Sequence, residues 1–293
     1  MPLVSASEFL TAARENGYGV GGFNTNNLEW TQSILKAAQA KNAPILIQTS
    51  EGAAKYMGGY KVCYDIVADL IDSLGITVPV ALHLDHGSYE GAKAALAAGY
   101  TSIMFDGSHF PFEENITKTK ELVALAHSKG ASIEAEVGTI GGEEDGIVGS
   151  GELADINECV AIAETGIDFL ACGIGNIHGP YPENWTGLSF ERLQEITTAV
   201  DGALGHKVPL VLHGGSGIPE DQIKKAISLG VAKINVNTEL QLVFRDATNE
   251  YVKAGKDHEG KGYDPRKLLA PGFTAIVNEV ENLIERFGTT EKA

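Results

Sequence analysis

Val78-Pro79-Val80-Ala81-Leu82-His83-Leu84-Asp85-His86-Gly87 sets an apolar run directly against a polar end. The run Val78 to Leu82 is apolar without alternation, as expected of a parallel strand covered on both faces. Its end carries two imidazoles and a carboxylate, His83, Asp85 and His86. Burying an ionisable group costs several kcal/mol unless it is paired or metal-bound. The stretch therefore predicts a buried strand that ends in a polar site. A metal with an adjacent acid/base accounts for it; a His-rich strand end with no ligand is the plainer alternative.

Seven other runs share this nearly continuous apolar character: Val20 to Phe23, Pro44 to Gln48, Ser102 to Phe105, Ser132 to Val137, Asp168 to Cys172, Pro209 to Leu212 and Lys233 to Val236. Between them apolar residues recur at helical spacing, as in Ile34, Leu35 and Ala38, or Ile223, Ala226 and Ile227. Asp155, Ser189 and Pro219 stand where helices should start, and Gly75, Gly99, Gly130, Gly166 and Gly230 where they should end. Eight strand-helix units predict an α/β protein with a closed (β/α)8 TIM barrel. Ser5 to Asn16 reads as an N-terminal capping helix and Asp264 to Phe287 as a C-terminal helical extension. A single domain over 1–288 with a flexible tail at 289–293 follows. The stretch Thr139 to Leu153, rich in Gly and acid, has no regular period and reads as a long functional loop.

The length of 293 residues is ordinary for one such barrel, and 35 glycines suit its many tight connections. With 22 basic against 39 acidic residues the formal charge is −17, spread along the chain. That argues against nucleic acid or an anionic membrane as partner, and requires any anionic substrate to be held by local devices such as helix N-termini, a metal or one arginine. Cys63, Cys159 and Cys172 form neither a disulfide framework nor a cysteine zinc site. No stretch has the length of a membrane span and the N-terminus lacks a signal pattern, so a cytoplasmic protein is expected.

Active sites of this fold stand at the C-terminal strand ends. Those ends carry Asn24, then Gln48 and Ser50, then His83, Asp85 and His86, then Asp106, Glu134 and Glu136, His178, His213 to Gly217, and Asn235 with Asn237. Three histidines, His86, His178 and His213, fall just beyond three different strands. Any one alone is commonly a satisfied structural residue; together they suit Zn²⁺ with an open coordination position. Gly214 to Gly217 and Asn237-Thr238-Glu239 each run into a helix after the last two strands, where barrels commonly bind phosphate. Two Gly-rich turns are the plain alternative.

These residues resemble the class II, metal-dependent fructose-bisphosphate aldolases. The resemblance runs from the opening Met-Pro-Leu-Val through Tyr263-Asp264-Pro265-Arg266. It is carried by Gly22-Phe23-Asn24, Gln48-Thr49-Ser50, His83 to Gly87, Glu134-Ala135-Glu136, Gly141 to Gly146, Ile177-His178-Gly179, His213 to Gly217 and Ile234 to Thr238. It implies reversible cleavage of fructose 1,6-bisphosphate to dihydroxyacetone phosphate and glyceraldehyde 3-phosphate, a step of glycolysis and gluconeogenesis. The enediolate left by that cleavage needs a Schiff base or a metal. The sixth strand run offers no lysine for the first.

By the same resemblance His86, His178 and His213 hold one zinc ion, and Asp106 and Glu136 provide an alternative or second metal position. Asp85 handles the C4 hydroxyl proton, with orientation of a metal-bound histidine as its competing role. Glu144 exchanges the C1 proton of dihydroxyacetone phosphate; a solvated acidic loop is the competing reading. Gly179, Gly214, Ser216, Asn235 and Thr238 cradle phosphate, Asn237 belongs to the same substrate and phosphate site, and Asn24 and Ser50 meet substrate. A monovalent cation, Na⁺ or K⁺, is implied near backbone oxygens around Gly179 and Gly214. Arg266 reaches the distal phosphate from a neighbouring subunit, which implies a homodimer or homotetramer; a surface salt bridge is its plain alternative. Three rivals stand beside this reading: a tagatose-bisphosphate aldolase, against which Asn237 is thin evidence, a barrel metal hydrolase and a non-catalytic phosphosugar-binding protein.

Overall fold

A computed structural model describes residues 3–144 and 147–293, leaving aside the side chains of 143, 144, 147 and 148. Eight strands close a barrel: β1 (Val20–Asn24), β2 (Ile45–Thr49), β3 (Val80–Gly87), β4 (Ser102–Phe105), β5 (Ser132–Val137), β6 (Phe169–Cys172), β7 (Leu210–Leu212) and β8 (Val231–Val236). Each pairs in parallel with its neighbours in sequence, and β8 closes on β1 through Val20↔Lys233 to Phe23↔Val236. All eight expected runs are strands, with ends moved by a few residues. The largest change is β3, which continues through His83 to Gly87 because His83 and Leu84 go on pairing with Gln48 and Thr49. The polar end of the opening stretch therefore lies on the strand itself.

Two apolar regions hold the barrel. The larger fills the space between strands and helices, and the smaller lies inside at the N-terminal end, where Val20, Leu46, Ala81, Met104 and Phe169 meet. The helix Ser7–Asn16 plugs that end with Phe9, Leu10 and Ala13. It is anchored by Ser7 Oγ donating to Asp168 Oδ1 at 2.5 Å and by the Ala6 N–H donating to Ser132 Oγ at 3.1 Å. The C-terminal helix Ala270–Phe287 buries Ile276, Val280, Leu283, Ile284 and Phe287, an apolar stripe at helical spacing. Each such side chain contributes about 1.5–3 kcal/mol when fully buried.

Residues 289–293, expected as a flexible tail, lie against the barrel. Thr289 is buried and donates to the Gly19 carbonyl, and the N–H groups of Glu291 and Lys292 donate to Lys41 and Asn42. The expected loop from Thr139 contains strand structure. Gly141–Glu144 pairs antiparallel with Ile147–Gly149 and parallel with Ile177–His178. Gly141–Glu144 is glycine and acid and Ile147–Gly149 is only three residues long, so this hairpin carries no periodicity to read. Among the described residues no helix is long and apolar enough to cross a membrane.

Candidate active site

Period two along a strand sends alternate side chains inward. His83 and Asp85 on β3, Glu134 and Glu136 on β5, and Lys233 and Asn235 on β8 are such pairs, and all six are buried. By strict alternation His86 would point away from Asp85's face. Instead its φ is +46°, left-handed for a residue with a side chain, and the β3–β4 register shifts between Leu84 and Gly87. That kink, of a kind that costs about 1–3 kcal/mol, lets consecutive Asp85 and His86 serve one site.

His86 Nε2 lies 3.2 Å from His178 Nε2 and 2.9 Å from His213 Nδ1. A Zn–N bond of about 2.0–2.1 Å gives a tetrahedron with edges of about 3.3 Å, so the three nitrogens stand near the spacing of a zinc ligand set. On its other side His86 Nδ1 is 3.2 Å from Asp106 Oδ2 and 3.9 Å from Glu136 Oε2. Among the described residues two groups could hold a metal ion, His86, His178 and His213 and then His86, Asp106 and Glu136, and they share one imidazole. Glu136 Oε2 is buried with no hydrogen-bond partner among the described residues. An orphaned carboxylate oxygen beside such a cluster fits a cation.

Asp85 is 1% exposed and held by three carboxamides: Asn24 Nδ2 at 2.9 Å and Gln48 Nε2 at 3.4 Å on Oδ2, Asn235 Nδ2 at 3.0 Å on Oδ1. Burial alone would raise its pKa, but His86, then His213 and Lys233, outweigh burial and keep it ionised. Asp106 is likewise depressed, burial being outweighed by its hydrogen bond from His86 and the Ser108 donors. Glu136 moves the other way, raised well above the usual carboxylate range by burial and by Asp106. Burial together with the charge on His86 pushes His178 down to about 2, so it stays neutral and able to bind a metal.

A pocket of 190 Å³ is lined by Asn24, Asp85, His178, Gly179, Gly214, Ser216, Asn235, Asn237, Thr238 and Gln241. Every residue expected to cradle phosphate lies on it. Gly214 has φ +64°, and a Cβ there would stand 2.2 Å from the Ile177 carbonyl oxygen, so only glycine fits this turn. Ser216 Oγ accepts the Glu239 N–H at 3.1 Å and thereby ties the turn after β7 to the helix Thr238–Lys253. Ser50 lies elsewhere. It caps the helix Glu51–Met57 by accepting the Ala53 N–H and lines a second, larger pocket of 860 Å³ with His86, Asp106, Glu136 and His178.

Arg266 lines neither pocket; its guanidinium is bound to Asp264 and its side chain is 89% exposed. The Glu144 side chain lies outside the described residues. Sequence reasoning left Gln48, Glu134, Lys233 and Gln241 without a role. Lys233 donates to Glu134 Oε2 at 2.6 Å, Glu134 Oε1 lies 2.8 Å from His213 Nε2, and all three side chains are fully buried. The inward alternation of Lys233 with Asn235 was the signal available for it.

Fold and site together define a (β/α)8 barrel with a cluster able to hold a metal beside an anion-sized pocket, at the C-terminal mouth where such barrels act. Residues 4–292 match the family model described as "Fructose-bisphosphate aldolase class-II". The chain is 63% identical to the fructose-bisphosphate aldolase of Streptococcus pyogenes serotype M1, with 100% of each chain covered. It is 56% identical to that of Mycoplasma pneumoniae, over 99% of this chain and 100% of the relative. A crystal structure of a "putative fructose-1,6-biphosphate aldolase" from Coccidioides immitis superposes with a TM-score of 0.81 at 36% identity, covering 97% of this chain and 96% of that one. The chain belongs to the class II fructose-bisphosphate aldolase family.

Proposed function

We propose that the protein reversibly cleaves fructose 1,6-bisphosphate between C3 and C4, giving dihydroxyacetone phosphate and glyceraldehyde 3-phosphate. The observation that carries this reading is the meeting of His86, His178 and His213 at one point, with His178 and Asp85 lining the Gly214–Thr238 pocket beside it. The three histidines would hold Zn²⁺, which supplies a Lewis acid for the negative charge left on the dihydroxyacetone half as the bond breaks. Asp106 and Glu136 would take the alternative or second metal position.

Asp85, ionised and pinned by Asn24, Gln48 and Asn235, would take the C4 hydroxyl proton in cleavage and return it in condensation. Backbone N–H groups at Gly179 and Gly214, the Ser216 and Thr238 hydroxyls and the start of the helix Thr238–Lys253 would hold the phosphate of the dihydroxyacetone half. Asn235 would help to hold that phosphate, and Asn24 and Asn237 would contact the substrate beside it. Glu144 would exchange the C1 proton of dihydroxyacetone phosphate, and a Na⁺ or K⁺ ion would sit beside Gly179 and Gly214. Ser50 would meet substrate from the larger pocket, and Arg266 would reach the distal phosphate of a neighbouring subunit in a homodimer or homotetramer. A cytoplasmic glycolytic and gluconeogenic role completes the reading.

The test is aldol cleavage of fructose 1,6-bisphosphate and tagatose 1,6-bisphosphate in parallel, with and without a chelator and then with zinc restored. Chelator-sensitive cleavage favouring the fructose substrate is expected. A tagatose preference would move the substrate assignment, and no cleavage of either with zinc restored would refute the reading.

A further inference from the structure

Lys233 and Glu134 form an ion pair sealed inside the barrel. Both side chains are 0% exposed and neither lines the pockets, so neither reaches substrate. A buried ion pair is an expensive way to fill space, since apolar residues of similar volume commonly serve stability as well or better. Its placement supplies a reason. Lys233 Nζ donates to Glu134 Oε2 at 2.6 Å, which leaves Oε1 facing His213 Nε2 at 2.8 Å. The opposite nitrogen, His213 Nδ1, is the one that stands 2.9 Å from His86 Nε2.

Nδ1 is the more crowded nitrogen of an imidazole, next to the ring carbon that bears the side chain. Presenting it toward the other two histidines requires that Nε2 carry the proton and that the ring be held in one rotation. Glu134 does both, and Lys233 compensates the carboxylate charge. Lys233 is fixed in turn, its Nζ 3.3 Å from His83 Nε2, while His83 Nδ1 is 2.7 Å from Ser102 Oγ. Ser132 Oγ donates to Ser102 Oγ at 2.9 Å and accepts the Ala6 N–H at 3.1 Å, so the chain of hydrogen bonds runs down to the foot of the plugging helix.

We propose that Lys233 and Glu134 are a positioning pair that fixes the tautomer and rotation of His213, so that Nδ1 is the nitrogen offered to the metal. The inference rests on the metal-centre reading above. Outer partners of this kind commonly change metal affinity by about 10–100-fold.

The test uses the full chain, stripped of metal and titrated with zinc alone against a competing chelator. Glu134→Gln with Lys233→Met removes both charges together and leaves no lone buried ion. This double variant should weaken zinc binding at least about tenfold, while its metal-free thermal midpoint stays near that of the metal-free parent; a loss of packing alone would lower the midpoint instead. A second measurement needs no variant. Long-range ¹H–¹⁵N spectra of the zinc-free parent, with His213 assigned by its loss in His213→Asn, should show the proton on Nε2.

Parent-like zinc affinity in the folded double variant, or a proton on His213 Nδ1 in the parent, would overturn this inference alone. A parent that takes up no zinc would overturn the metal-centre reading and this inference with it.

Discussion

Asn235 Nδ2 stands 3.0 Å from Asp85 Oδ1 and 3.2 Å from His213 Nδ1, so one carboxamide joins the carboxylate assigned to proton transfer to an imidazole assigned to the metal. The two functions can be separated by mutation even so. Asp85→Ala removes the base and leaves all three imidazoles, so turnover should fall by about 10²–10⁴-fold with zinc content near that of the parent. Equal turnover in the two proteins, measured at matched zinc content, would remove Asp85 from the chemistry.

Removing the metal should be visible without any assay of chemistry. A ligand that binds only the folded state stabilises it by about 2.7 kcal/mol at a hundred times its dissociation constant. Zinc added to the stripped protein should therefore raise the thermal midpoint, and His213→Ala should abolish most of that rise together with turnover. A midpoint indifferent to zinc in the parent protein would contradict the histidine site.

Gly214→Ala tests the phosphate cradle through its backbone. The added Cβ would meet the Ile177 carbonyl oxygen at 2.2 Å in a left-handed residue, a strain of about 1–3 kcal/mol. Relief would move the turn after β7 away from Ile177, so KM for the bisphosphate should rise about tenfold, an effect of about 1.4 kcal/mol. Parent-like KM and denaturation midpoint would show that the turn tolerates the methyl.

Acid should weaken the metal-free protein over a defined range. Burial, and after it the Lys233 charge, pushes His83 from its ordinary 6.5 down to about 3. Between those values the unfolded chain holds a proton on His83 that the folded chain refuses, so unfolding becomes easier as pH falls. Burial would raise Glu134, but Lys233 and then His213 outweigh it and hold it at about 2, so the stabilisation it gives is present above its ordinary 4.5 and is lost as pH falls from there. Glu136, raised by burial and Asp106, opposes both because the folded state binds its proton more readily. Asp85, Asp106 and His178 are depressed as well, while His86, whose burial is outweighed by Asp106 and Asp85, is raised beside Glu136; the depressed groups outnumber the raised ones, which predicts a urea midpoint that declines from pH 7 to pH 4. A midpoint flat or rising toward acid would mean that the buried charges are arranged otherwise.

Arg266 makes its hydrogen bonds to Asp264 on the surface, so Arg266→Ala should leave the denaturation midpoint where it was. If the guanidinium serves a neighbouring subunit, KM for the bisphosphate should nevertheless rise, and specific activity should fall on dilution as the oligomer dissociates. An unchanged KM would leave Arg266 as a surface pair.

The barrel was legible because its strands are covered on both faces: runs such as Pro209 to Leu212 are apolar without alternation, and only a buried parallel sheet asks for that. The meeting of His86, His178 and His213 was legible for a related reason, as each follows such a run. What the strands hide is charge in their middles. Lys233 and Glu134 sit among apolar neighbours, and nothing local distinguishes an inward lysine with a partner from an outward one in water. Their meeting depends on β5 and β8 facing each other across the barrel, a relation between residues about a hundred apart. The hairpin from Gly141 was hidden because its first strand, Gly141–Glu144, is glycine and acid without an apolar pattern and its second, Ile147–Gly149, is only three residues long. The left-handed turn at His86 was hidden because histidine does not advertise it.

Gly142 pairs with His178, so the hairpin at the barrel mouth and a residue assigned to the metal belong to one ladder. A door is usually hung on a frame that stays still. Here the hinge post is part of the lock: swinging the hairpin outward loosens the backbone that sets His178. A substitution that loosens the pairing of Gly142 with His178 should therefore also loosen any ion that His178 holds.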